Sequence, residues 1–196
     1  MNAPSMFGQD EIRRALTRLG EIAWGAQRII DMAVYGGSAI VLAWGFRVAT
    51  KDVDAVVRGD PSFLRRAVRQ VAEEEGWPED WLNDGVKGFV SGNEDLRLQG
   101  TYPSPERPGL RVYVPTAEYM LAMKCMAMRA EGVEEARDIE DIRHLIGITG
   151  MSTTEQVLTL VEGFYPRALI PPRVALGVEE IVNELSRDAR DKASLY

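Results

Sequence analysis

The stretch VYGGSAIVLAWGFRVATKDVDAVV, residues 34–57, decides the reading of this chain. It opens on the end of a strand. In RIIDMAVYGG, Ile30, Met32 and Val34 alternate with Asp31, Ala33 and Tyr35, a period-two pattern that stops at a glycine pair. SAIVLAWG then predicts a short buried helix, with Ser38 as its N-cap and Gly45 closing it. VDAVV predicts a second strand. Residues i and i+2 of a strand share a face, so Asp52 and Asp54 are expected to present two carboxylates side by side. Like charges that close repel unless a cation sits between them, and hard oxygen ligands suit Mg²⁺. Taken alone, D-x-D reads as a strand end with two solvated acids, or as an Asp capping a turn. The glycines change the reading. Gly36 and Gly37 let backbone N–H groups approach a ligand with no side chain in the way, and a helix N-terminus favours phosphate. Thirteen residues separate Ser38 from Asp52, room for one helix and a turn back to a neighbouring strand. A phosphate cradle and a pair of metal carboxylates are therefore expected at one sheet edge.

Working outward, residues 9–25 read as an amphipathic helix with Ile12, Leu16, Leu19 and Ala23 at helical spacing. DPSFLRRAVRQVAEEEG reads as a helix with Asp60 as cap, Pro61 at the first helical position and Gly76 at the end. Residues 77–95 read as irregular. LRLQG and LRVYV alternate as two strands, with TYPSPERP and its three prolines as a loop between them. From Thr116 the pattern is helical, with helices expected over 116–131, 134–147, 152–163 and 172–190. The fold class is thus α/β (α+β): a small mixed-sheet core over 1–115, with a helical C-terminal region, 116–196, packed on it as a bundle.

Composition narrows the function. The chain has 196 residues, 45% of them apolar, and a formal net charge of −7, the opposite of a dedicated nucleic-acid footprint. Arg13, Arg14 and Arg18, and Arg65, Arg66 and Arg69, read as solvated helix faces. The single cysteine, Cys125, lies in an apolar helical run and reads as a buried inert thiol. The single histidine, His144, reads as a helix-face residue, which leaves no zinc ligand set. The N-terminal residues lack the basic-then-apolar order of a signal peptide, and no apolar run reaches membrane-span length. A soluble cytoplasmic protein is the expectation.

G-G-S, a helix-length spacer and D-x-D together resemble the pattern of the nucleotidyltransferase superfamily that includes DNA polymerase β. The form GGSAIVLAWGFRVATKDVD is similar to that of the AbiEii-like and DUF6036-like branch, in which an arginine and a threonine, here Arg47 and Thr50, precede the aspartates. That branch carries a helical lysine with a downstream arginine, matched by Lys124 and Arg129 in KCMAMR. An R-D-x-x-D motif follows, matched by Arg137, Asp138 and Asp141 in RDIEDIRHL. The resemblance implies a Mg²⁺-dependent enzyme that transfers a nucleoside monophosphate from an NTP. Asp52 and Asp54 would hold the metal, Gly36, Gly37, Ser38, Arg47 and Thr50 the nucleotide. Lys124 would contact nucleotide phosphate, with Asp138 near the metal or its waters. It further implies the toxin of a toxin–antitoxin pair, with tRNA or other RNA as acceptor and a cognate antitoxin as partner. Transfer to a small molecule of antibiotic type, and an inactive interaction protein on the same fold, are the alternatives. The chain departs from the superfamily in one respect: its later strands LRLQG and RVYV carry no third carboxylate, and are flanked only by Asp95 and Glu118. By itself Lys124, in an apolar helix, either snorkels outward or reaches a charged partner.

Overall fold

In the computed structural model, residues 6–129 and 133–193 are described. The chain divides into two compact units, Met1–Gly88 with Leu96–Pro115, and Phe89–Asp95 with Thr116–Tyr196. Residues 89–95, expected in the α/β core, group with the helical unit for a hydrogen-bonding reason. Ser91 N donates to the Tyr119 hydroxyl at 2.8 Å, Asn93 Nδ2 donates to the Gly163 carbonyl at 3.0 Å, and the Tyr165 hydroxyl donates to the Phe89 carbonyl at 2.6 Å.

The first unit runs β1 (Phe7–Gly8), α1 (Gln9–Gly25), β2 (Ile30–Val34), α2 (Gly36–Ala43), β3 (Ala49–Thr50), β4 (Val53–Arg58), α3 (Pro61–Glu75), β5 (Leu82–Asn83), β6 (Leu96–Ser104) and β7 (Arg107–Pro115). A five-stranded mixed sheet has the order β5-β4-β2-β7-β6, and β1 pairs with β3 in a separate two-stranded ribbon. β2 is antiparallel to β4 and parallel to β7, while β5 runs parallel to β4. The two-residue strands β1, β3 and β5 are too short to show any periodicity, so the sequence does not announce them.

Helix α1 buries Ile12, Ala15, Leu16, Leu19 and Ala23 and packs against β6 and β7. Its basic residues meet the glutamates of α3. Arg14 pairs with Glu75 at 3.1 Å and Arg18 with Glu74 at 2.7 Å. The Arg18 guanidinium, helped by the Gln70 amide, holds the Glu74 carboxyl down at about 2. Helix α3 starts where the sequence predicts. Asp60 accepts hydrogen bonds from Ser62 N at 2.9 Å and Phe63 N at 3.1 Å, Pro61 occupies the first turn, and Gly76 ends it at φ 68°. The proline-rich segment is not the expected loop. Pro103 and Pro108 face each other inside the β6–β7 hairpin, which turns only at Pro105 and Glu106. The sheet tolerates them because β6 is an edge strand and Pro108 lies before the residues of β7 that pair with β2.

The second unit contains α4 (Ala117–Ala127), α5 (Val133–Thr149), α6 (Thr154–Phe164) and α7 (Pro172–Ala193). Thr116 caps α4 by accepting from Tyr119 N at 3.3 Å. The helix expected to reach 131 stops at Ala127, and Ala130–Gly132 lie outside the described residues. Seven consecutive residues of α4, Tyr119–Cys125, are buried, as expected of a helix apolar on nearly every side. Helices α5, α6 and α7 each contact it. Burial pushes the Cys125 thiol up to about 12, and His144 is exposed on α5, in keeping with the sequence reading of both. Among the described residues no helix is long and apolar enough to cross a membrane.

Candidate functional site

The first turn of α2 and the start of β4 meet at one end of the sheet. Helix α2 begins at Gly36, with Tyr35 at the N-cap, three residues before the expected Ser38, and the Tyr35 side chain makes no capping hydrogen bond. Tyr35 N donates to the Asp54 carbonyl at 2.9 Å, which ties the turn to β4. Gly36 adopts φ 58°, and a Cβ there would project to 2.9 Å from Asp54 Oδ2. Backbone conformation and space therefore both require glycine. At Gly37 a Cβ would fall onto the Arg47 guanidinium and 2.8 Å from Thr50 Oγ1. The missing side chains of this glycine pair are occupied by a carboxylate on one side and a guanidinium and a hydroxyl on the other. Thr50 is buried on β3, opposite Phe7 of β1, so the ribbon unseen in the sequence is what fixes its place.

Two expectations are corrected here. Ser38 is not the N-cap. It is the third residue of α2 and fully buried, and its hydroxyl donates to the Tyr35 carbonyl at 2.8 Å. The hydroxyl is thereby committed to the preceding turn. Asp52 is not on the strand with Asp54. It occupies a bend, and β4 begins at Val53. Both aspartates are half-buried around the buried Val53.

Asn83 is the site residue that the sequence reading missed. It lies on β5, in register with Asp54 of β4. Its Nδ2 donates to Asp52 Oδ2 at 3.2 Å and its Oδ1 accepts from Gly85 N at 2.9 Å. A Cβ on Gly85 would lie 3.9 Å from Asp54 Oδ1. The 83–85 turn thus lies against both aspartates. The only sequence signal for it is the turn-forming run LNDG in a segment without periodicity.

The donor set fits a hard divalent cation that takes part of its coordination from a substrate. Two carboxylates suit Mg²⁺, which keeps several waters and completes its octahedron with phosphate oxygens. Among the described residues no group of three or more His, Cys, Asp or Glu side chains is placed to hold a metal. Asp95, one of the acids flanking the later strands, accepts a hydrogen bond from the Thr116 hydroxyl at 2.9 Å within the second unit.

Lys124, Asp138 and Asp141 come together in the second unit. Lys124 is 8% exposed, Asp138 9% and Asp141 4%. Lys124 Nζ donates to Asp138 Oδ1 at 2.9 Å and lies 2.8 Å from Asp141 Oδ2. Of the two courses open to it, the ammonium takes the charged partner. Asp138 and Asp141, three residues apart on one face of α5, supply both counter-charges.

No protein-family model matches the sequence, and no curated protein matches it. Among solved structures, the chain is similar to an antigenic nucleotidyltransferase-like protein from Paracoccidioides brasiliensis. The identity is 14% and the TM-score 0.46, over 89% of this chain and 94% of that one.

Proposed function

We propose that the protein is a Mg²⁺-dependent nucleotidyltransferase that moves a nucleoside monophosphate from an NTP to an acceptor hydroxyl. One observation carries the reading: the glycine turn opening α2 and the Asp54 carboxylate are in direct apposition, with Asp54 Oδ2 only 2.9 Å from where a Gly36 Cβ would stand. A site for phosphate oxygens and a site for their metal thereby become one site. Asp52 and Asp54 would hold Mg²⁺, which when bound would supply positive charge to neutralise the triphosphate. The backbone N–H groups of Gly36, Gly37 and Ser38, at the positive end of α2, orient the terminal phosphates. Arg47 and Thr50, stacked over Gly37, add a fixed positive charge and a hydroxyl beside them. The acceptor oxygen forms its bond to the α-phosphorus as the bond to the bridging oxygen breaks. Pyrophosphate leaves with that electron pair, and the hydroxyl proton passes to solvent. The chain's contribution is positioning and electrostatic stabilisation. Because the Lys124 ammonium is already held by two carboxylates, the reading assigns charge neutralisation to Arg47. Lys124 and Asp138 become a structural pair.

For the acceptor, the sequence resemblance favours RNA, with tRNA foremost, and a toxin role with a cognate antitoxin. Incubation with each labelled NTP, Mg²⁺ and total RNA tests the reading. Label should enter RNA with the wild type and be lost with Asp52→Ala and with Asp54→Ala. Transfer that survives both substitutions overturns the assignment of the metal site. Label that appears only on small hydroxylated amines overturns the RNA acceptor.

A further inference from the structure

We infer that Asn83 is a positioning residue that sets the Asp52 carboxylate for its cation. The inference rests on the proposed metal role of Asp52. Asp52 stands in a bend before β4, so the strand ladder does not hold it. Its carboxylate is only half-buried and has rotational freedom of its own. Asn83 removes that freedom from across the sheet. Its backbone is fixed by the parallel pairing of β5 with β4, where it lies opposite Asp54. Its amide is fixed at the other end because Oδ1 accepts from Gly85 N at 2.9 Å, which leaves Nδ2 as the group aimed at Asp52 Oδ2, 3.2 Å away. An amide serves both ends, since one bond needs an acceptor and the other a donor, and its two atoms are far enough apart to reach both. A carboxylate at 83 would keep the turn, lose the donor and set a third negative charge beside Asp52. With one Asp52 oxygen oriented by Asn83, the other oxygen is free to coordinate. This is the arrangement by which groups behind a ligand raise metal affinity without touching the metal.

The test is Mn²⁺ affinity without nucleotide, followed by electron paramagnetic resonance and by calorimetry. The wild type is compared with Asp52→Ala, Asn83→Ala and Asn83→Ser. Serine at 83 can still accept from Gly85 N in a side-chain turn but is too short to reach Asp52, so Asn83→Ser keeps the fold if Asn83→Ala does not. Both Asn83 variants are expected to bind Mn²⁺ roughly 10- to 100-fold more weakly than the wild type. A purely structural role for Asn83 predicts a lower melting temperature with the Mn²⁺ affinity of the folded protein unchanged, and that result overturns the inference. If wild-type binding is lost in Asp52→Ala but kept in a folded Asn83→Ser, the positioning role fails while the metal site stands. If the wild type binds no Mn²⁺ at all, the metal site and the positioning role fall together.

Discussion

Replacing Lys124 by methionine separates a structural from a catalytic role for the buried triad. Methionine keeps the unbranched stem, so little volume is lost, and only the charge disappears. Two carboxylates then remain in a region where Asp138 is 9% and Asp141 4% exposed. Removing one partner of a buried ion pair costs about 3–5 kcal/mol, because the buried charge left behind loses its counter-charge without regaining water. In a chain of this length each kcal/mol moves the melting temperature by roughly 2–4 °C, so a fall of about 6–20 °C is expected. Asp138→Asn with Asp141→Asn strands the ammonium instead and should cost a comparable amount. Combining all three substitutions removes every charge and should return stability to within about 1 kcal/mol of the wild type, since buried ion pairs contribute little net stability over neutral groups. The readout is far-UV circular dichroism, because Trp24, Trp44, Trp77 and Trp81, the four tryptophans of the chain, all lie in the first unit. A Lys124→Met protein melting within about 2 °C of the wild type refutes the reasoning, as does a triple variant no more stable than the single one. If the restored triple variant still binds NTP with Mg²⁺, Lys124 has no part in the site.

Gly20 lies inside α1, where an alanine would ordinarily add stability, but a Cβ there would stand 2.5 Å from the Tyr102 carbonyl carbon and oxygen and 2.8 Å from Pro103 N. Backbone atoms cannot step aside, so Gly20→Ala should cost about 1–3 kcal/mol, read in tryptophan fluorescence. Gly25→Ala on the same helix, with nothing within 4 Å, should be neutral or slightly stabilising. The Cys125 thiol should resist thiol reagents at neutral pH until the protein is unfolded. Its folded value is raised by burial from 9.0 to about 12. Its stabilising contribution is therefore fully present below pH 9 and is lost as pH rises toward 12, at about 1.4 kcal/mol per unit. Urea unfolding at pH 8 and 10.5 checks this, with Cys125→Ala showing a shallower pH slope. Asp60→Ala removes both first-turn hydrogen bonds of α3 and should cost about 1 kcal/mol.

Helices punctuated by short-range chemistry were legible from residue types alone. Asp60, Pro61 and Gly76 bound α3, and Thr116 starts α4, because a cap bonds to backbone only two or three residues away. The apposition of Gly36 with Asp54 was legible too, since a helix and a turn between two neighbouring strands leave few ways to arrange them. The N-cap was misplaced by three residues, at Ser38 instead of Tyr35: G-G-S is compatible with a helix entered at either the glycine or the serine, and only the packed turn places the hydroxyl on the Tyr35 carbonyl. The proline-rich hairpin was misread because its prolines are acceptable only at a sheet edge, and edge position is a property of the whole sheet.

What the sequence by itself determined is the local inventory: a glycine turn between a strand and a helix, two aspartates two residues apart, and a lysine in an apolar helical run. What only the tertiary structure decided is how each group is held. Asn83 reaches Asp52, 31 positions away in sequence, because β5 pairs with β4. Thr50 is fixed by a ribbon closed with Phe7. Lys124 finds its counter-charges on the next helix. Local pattern is written in neighbouring residues because backbone hydrogen bonds and side-chain periodicity are short-range. A hydrogen bond between distant segments depends on sheet order and helix packing, which the whole chain settles together.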